Sequence, residues 1–554
     1  MSSVPGINSA SADRYDVAIL GSGMAGGMLG AVLARNGVKV LILDAGTHPR
    51  FAVGESTIPY TSGMMRLIAD RYQVPELKAL SNHTETIKIA PHCGQKQNFG
   101  FVYHREGEPQ NPLQVNQLVV PVAFRTESHL FRQDVDAYLF HVAVRYGAEP
   151  RLATRITDVE IDPADGVVLR SDRGEEFRAD YVVDGSGYRS PLAERFELRE
   201  TPTRARTHSR CLFTHMVGVR PFDDSPTAER HEQPNPWDHG TLHHVFDGGW
   251  LWVIPFNNHP GALNPLCSVG LTLDPRKYPK GTLPPEREFA DFLGRFPEIA
   301  WQFKDATAVR PWVSTGRLQY STTKVVGDRY CLTSHASGFI DALYSRGLAN
   351  TLAVVNALGW RLIAASRDGD WSTERFAYVE DLQQGLFDFH DDLVYSSFVG
   401  FGDYELWNAV NRTWMLGTMS GNMMLEDAHH RFRRTGDDNV FIEAERYGHP
   451  GSPLPISESF VRMGTRTREL CQAVEGGTLA PSAAASEILD SVRKVDFFPY
   501  AEQFGRPENG CYHMTRDRIE AAKLWARVDA PADIGPRMLN ALENMAIAKA
   551  EEGL

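Results

Sequence analysis

Gly21-Ser-Gly-Met-Ala-Gly26 has the spacing G-x-G-x-x-G, and the chemistry this spacing serves is the cradling of a pyrophosphate. Gly21 permits the tight turn, Gly23 lets backbone approach a phosphate, and Gly26 lets a helix lie close to a strand. Eighteen residues past Gly26 stands Asp44, placed to accept hydrogen bonds from a ribose. The elements that must position these groups surround them. Residues 15–20 read as a short buried strand, 27–36 as a helix of small and aliphatic side chains closed by Gly37, and 38–43 as a second strand. The helix N-terminus adds unpaired N–H groups and a partial positive charge. Glycines also punctuate ordinary turns, so the order strand, turn, helix, strand, acid carries the dinucleotide reading.

Three later features suit the same ligand and point to FAD. Asp184-Gly-Ser-Gly187 ends a strand at 180–184, and the loop 334–347 follows a strand at 326–332. Arg132 opens a helix running to about 146, where it could reach a pyrophosphate. One phosphate-cradling turn argues for a single bound dinucleotide. These features place the chain near the flavin monooxygenases. The expected fold is α/β, with an FAD-binding Rossmann-like domain in two parts, 14–206 and 326–370. A strand-rich substrate region, 207–325, interrupts it, and a helical region, 371–554, follows.

The composition is that of an ordinary globular protein: 554 residues, 42% hydrophobic and 23% charged. A net charge of −13 argues against nucleic acid or an anionic membrane as partner, and no uninterrupted apolar run of spanning length stands out. Residues 1–13 lack the basic start and apolar core of a signal peptide. Six dispersed cysteines without a C-x-x-C pair suit reduced thiols in a cytoplasm, and no metal site is expected.

On Gly54-Glu55-Ser-Thr-Ile-Pro59, Trp250-Leu-Trp252-Val-Ile254-Pro255 and Phe339-Ile-Asp341-Ala-Leu-Tyr-Ser345-Arg-Gly347, the chain resembles the flavin-dependent halogenases. The resemblance spans roughly residues 15–375. Through Gly94-Gln-Lys-Gln-Asn-Phe-Gly-Phe and Asn257-Asn-His-Pro-Gly261 it looks closest to members acting on tetracycline-type aromatic polyketides. The resemblance implies that reduced FAD activates oxygen and that chloride or bromide is converted to hypohalous acid. This oxidant passes a lysine to an electron-rich, phenolic carbon, on a substrate either free or tethered to a carrier protein. A separate NAD(P)H-dependent flavin reductase would supply the FADH2.

By the same resemblance Lys96, ahead of Phe99 and Phe101, is the candidate lysine, with Lys88 as its rival. Outside the family, Lys96 would read as a solvated surface residue and the tryptophans as core. Trp250 and Trp252 share one strand face and would form a wall between flavin and substrate, with Glu55 a further catalytic candidate. The backbone N–H groups of Arg346 and Gly347 would hold halide, and Asp341 would contact the flavin non-covalently. Tryptophan halogenases carry a glutamate where this chain has Tyr344, so tryptophan is not the expected substrate. Ser334-His335 replaces the Gly-Asp common in related flavoproteins. The enzymatic alternative is an FAD-dependent aromatic hydroxylase, which would bind nicotinamide itself. A non-catalytic FAD-binding scaffold is the alternative of a different class.

Overall fold

A strand as apolar as residues 15–20 is stable only when covered on both faces. In the computed structural model, which describes residues 14–119, 127–445 and 457–551, it lies at the centre of an eight-stranded sheet. The leader 1–13 lies outside the described residues. Arg14–Leu20 pairs in parallel with Val40–Leu43 on one side and Glu176–Asp184 on the other. Glu149–Arg151 and Tyr330–Leu332 extend the parallel arrangement outward, and a hairpin of Ile156–Asp162 and Gly166–Ser171 joins Glu176–Asp184. The crossover helix, Met24–Arg35, begins three residues before the expected 27, directly after Gly23. The expected strand at 326–332 is instead two short antiparallel strands, Val326–Gly327 and Tyr330–Leu332, turned by Arg329 at φ 56°.

The second sheet has nine strands and is largely antiparallel. Arg210–Val217, Cys267–Leu273, Gly249–Pro255 and Thr241–Phe246 form its middle, and it continues through Asn98–His104 and Val115–Val119 to Cys511–His513. It therefore draws strands from both ends of the chain as well as from 207–325. Period-two alternation gives this sheet two different cores. Phe99, Phe101, Tyr103, Trp250, Trp252 and Ile254 pack into the main core, while Val102, Leu251 and Val253 pack into a second cluster behind the sheet.

The C-terminal region is helical, as expected. Helices Thr373–Gly400 and Tyr404–Thr435 are followed by Ser457–Glu475, Pro481–Arg493, Arg516–Val528 and Gly535–Glu551. Among the described residues one helix, Leu343–Asp368, is apolar and long enough by composition to cross a membrane, although Arg346, Asn350, Asn356 and Arg361 interrupt it. Its apolar window is 78% buried within the protein, so its all-round hydrophobicity is that of a core helix. All six cysteines are free, five of them buried.

Gly270 stands directly opposite Trp252 in the ladder, and the indole lies across it. A Cβ at Gly270 would meet the ring at 2.0 Å. Gly270→Ala is expected to destabilise the protein by about 1–3 kcal/mol through overpacking, measured by denaturant unfolding of the FAD-bound form. An unchanged midpoint would show that the indole yields freely.

Candidate functional site

The glycine turn, the end of the second strand and the wall of the second sheet enclose a cavity of about 1030 Å³. Its length runs from Gly21, Gly23 and Asp44 to Trp250, Trp252, Asp341 and Gly347. The turn fits a pyrophosphate tightly. Gly21 has φ +96°, and a Cβ on Gly26 would lie 1.9 Å from the Gly21 carbonyl. A Cβ on Gly23 would meet nothing closer than Asp136 Oδ2 at 3.6 Å, so that backbone is open to the cavity. Asp44 accepts hydrogen bonds from the Ser22 N–H and hydroxyl, both at 2.7 Å, and from the Gly46 N–H at 2.8 Å. Burial alone would raise its pKa; the paired Arg50 guanidinium and these donors hold it down at about 2. It is thus the anionic acceptor that a ribose requires. These residues fit FAD.

Two expected cofactor residues make hydrogen bonds within the protein. Asp184 is not among the cavity's lining residues. Its carboxylate accepts from the Ser186 N–H and hydroxyl, the Ser190 hydroxyl and the Leu192 N–H. It shapes the loop whose Gly185, Ser186 and Gly187 do line the cavity. Arg132 lines the cavity, but its guanidinium is bidentate to Asp136 (2.8 and 2.9 Å) and also donates to the carbonyls of Val53 and Gly54. Its work is to hold the loop that begins at Gly54.

That loop carries the next layer of the site. Glu55 pairs with His215 Nε2 at 2.7 Å. The Ser56 hydroxyl and the Thr57 carbonyl accept hydrogen bonds from Lys96 Nζ at 2.7 and 2.6 Å. Lys96 is 2% exposed and lies 4.0 Å from the Phe99 ring centre. Burial drives its pKa well below the usual lysine value. Lys88 sits on a surface helix with its side chain 62% exposed, paired with Glu85. Burial next to the cavity therefore separates the two lysines.

At the inner end of the cavity the two indoles lie 5.6 Å apart. Trp250 Nε1 donates to Asp341 at 3.2 Å and Trp252 Nε1 to Ser268 at 3.2 Å. His243 stacks on Phe99 and Phe101 behind them. Asp341 also accepts from Ser209 and the Leu343 N–H, and burial lifts its pKa to about 6. Tyr344 and Ser345 both adopt left-handed backbone, φ 71° and 53°, so the chain turns sharply into the helix Arg346–Asp368. Gly347 lines the cavity there, close to the half-buried His335, which also lines it and whose pKa desolvation lowers to about 4. The Arg346 side chain is not among the lining residues; its guanidinium lies over Phe389.

Beyond Lys96 is a second cavity, of about 160 Å³. Its lining is mostly apolar and rich in methionine and phenylalanine, with Arg66, Glu127 and Glu426 as its charged members. The C-terminal helices supply most of this lining. No residue of 207–325 lines it; Phe213, Trp250, Trp252 and Tyr320 of that region line the first cavity. Sequence reasoning missed Ser56, Glu127, His215 and His243. Ser56 lay inside a quoted motif, and a lysine destined for burial needs a neighbouring acceptor; the other three meet the site only through sheet pairing.

A profile described as an FAD binding domain matches residues 14–257. The tetracycline 7-halogenase of Kitasatospora aureofaciens is 46% identical over 92% of this chain and 92% of its own. The monodechloroaminopyrrolnitrin halogenase PrnC of Pseudomonas fluorescens is 44% identical over 95% of this chain and 94% of its own. The halogenase PltM, solved with phloroglucinol and FAD, superposes with a TM-score of 0.85 at 33% identity, covering 90% of this chain and 99% of that one. Likeness of this extent, together with a cavity shaped for FAD and a buried lysine bonded to Ser56 on its wall, makes this chain a member of the flavin-dependent halogenase family.

Proposed function

We propose that the protein chlorinates a phenolic natural product in antibiotic biosynthesis by electrophilic substitution, with bromide as the alternative halide. Bound as FADH2, the cofactor supplies the electrons that activate oxygen, from which halide yields hypohalous acid. The observation that carries the reading is the place of Lys96. It hydrogen-bonds Ser56, which lines the flavin cavity, and it pairs in a strand ladder with Glu127, which lines the second cavity. A donor there can hold hypohalous acid between the two spaces and direct it onward. Trp250 and Trp252 close the direct route. Backbone N–H groups of Arg346 and Gly347, at a helix start approached by two left-handed residues, suit a halide.

In this reading 14–206 and 326–370 hold FAD, 207–325 supplies the wall, and 371–554 encloses the substrate. Gly21, Gly23, Gly26 and Asp44 bind the dinucleotide, Arg132 and Asp184 support it, and Asp341 and Glu55 fix the inner wall. The second cavity takes the aromatic substrate. Its one guanidinium, Arg66, is already paired with Glu426 and lies near Glu127, which disfavours an amino-acid carboxylate. The single phosphate-cradling turn supports dependence on a separate NAD(P)H-dependent flavin reductase, and six free thiols suit the cytoplasm.

The direct test is to supply FADH2, oxygen and chloride with a phenolic polyketide and weigh the product. Lys96→Ala is expected to abolish halogenation while FAD binding and oxygen consumption persist; Lys88→Ala should halogenate as the parent does. The reverse result would reassign the lysine. With FAD and a nicotinamide but no reductase, the purified chain should not turn over; sustained turnover would refute the partner. Trp250→Ala and Trp252→Ala should each lose halogenated product faster than oxygen uptake, releasing peroxide. The product should carry halogen ortho or para to the hydroxyl, and free tryptophan should remain unmodified. Unchanged coupling, or efficient tryptophan halogenation, would defeat the corresponding part.

A further inference from the structure

Tyr344, at the position where tryptophan halogenases carry a glutamate, turns its hydroxyl to Ser397 at 2.7 Å and stacks on Trp414. A carboxylate nonetheless stands beside Lys96 on a neighbouring strand, although the ammonium donates to Ser56 and Thr57. Glu127, in the strand Glu127–His129, stands directly opposite Lys96 in the antiparallel ladder. Directly opposed residues of such a ladder project to the same face. Glu127 is 4% exposed, accepts a hydrogen bond from the Ser62 hydroxyl, and lines the second cavity. Ser62 and Arg66 lie one turn apart on the helix Pro59–Arg71, so a single helix face meets this carboxylate. Arg66 pairs with Glu426, and Glu426 is further bound by Asn544. The other cation acting on Glu127 is Lys96.

A buried carboxylate is stable only where donors or cations reach it. An ionised carboxylate offers about four acceptor positions, and the Ser62 and Thr57 hydroxyls act on part of that capacity. We propose that Glu127 is a positioning residue of the site: from beside Lys96 it orients the substrate by accepting a hydrogen bond from its ring hydroxyl. This rests on the reading of Lys96 given above. An acceptor-only group in an apolar cavity selects a substrate that carries a donor beside the reacting carbon. A phenol or an aniline meets that requirement, and a carboxylate does not. Burial pushes the Glu127 carboxyl up and the Lys96 ammonium down, and their opposite charges offset part of each shift.

The test compares Glu127→Gln, Glu127→Asp and Lys96→Ala, each loaded with FAD, using resorcinol as the probe. Calorimetry gives resorcinol affinity for the oxidised holoenzyme, and mass spectrometry with an oxygen electrode gives halogenated product per oxygen consumed. Glu127→Gln is expected to keep FAD, to weaken resorcinol binding at least fivefold, and to lower product per oxygen at least tenfold. Glu127→Asp, which keeps the charge, should recover part of both losses. Values for Glu127→Gln within twofold of the parent, with Lys96→Ala inactive, overturn this proposal alone. A fully active Lys96→Ala overturns the underlying reading and this proposal with it. Should Glu127→Gln lose FAD, Glu127→Asp carries the test: parental affinity and coupling in that variant overturn the role.

Discussion

An ammonium group removed from water persists only if the protein surrounds it with acceptors, and at Lys96 much of the chain answers that demand. The Ser56 hydroxyl and the Thr57 carbonyl meet it directly, and the Phe99 ring covers one side. Both acceptors belong to the loop that Glu55 ties to His215 and that Arg132 holds by the carbonyls of Val53 and Gly54. Arg132 is in turn fixed by Asp136, one turn along its own helix. The dinucleotide fold and the lysine are therefore joined mechanically, through a short segment between two sheets. Displacing that loop would disturb the cofactor cavity and the lysine together.

Separation of two spaces is the second requirement. Both cavities lie on the main-core face of the nine-stranded sheet, where Trp250 and Trp252 line the first and are not among the lining residues of the second. Trp252 needs Gly270 beneath it, and Trp250 is braced by Asp341, itself bound by Ser209. In the function proposed above, an oxidant made beside the flavin meets Lys96 before it meets the organic ring. Positioning of this kind, rather than acid–base strength alone, is what the protein adds to chemistry carried by its cofactor.

The sequence displayed some of this plainly. The glycine turn and Asp44 are close in sequence, so their geometry follows from local rules, and the strand expected at 180–184 is the end of Glu176–Asp184. Asp184 was expected near FAD because it ends a strand and Arg132 because it opens a helix; their partners inside the protein, Ser186, Ser190 and Asp136 among them, could not be read from the sequence. Lys96 was legible only through family resemblance, because its burial depends on a loop forty residues earlier. Glu127 could not be read at all: its pairing with Lys96 spans thirty-one residues of chain and leaves no periodic signal. Cys511–His513 is a similar case, a three-residue strand at the far end of the chain that extends a sheet begun at Asn98–His104. Long-range pairing of this sort is set by tertiary packing.

The central claim is spatial: flavin and aromatic substrate occupy different cavities, with Lys96 in the wall between them. A crystal structure of the chain with oxidised FAD and resorcinol measures this directly. The account predicts the isoalloxazine beside Trp250 and Asp341, and the resorcinol ring in the cavity lined by Met423, Phe498 and Glu127, with Lys96 between them. A resorcinol ring bound on the flavin side of Trp250 and Trp252, in the cavity that holds FAD, would contradict it.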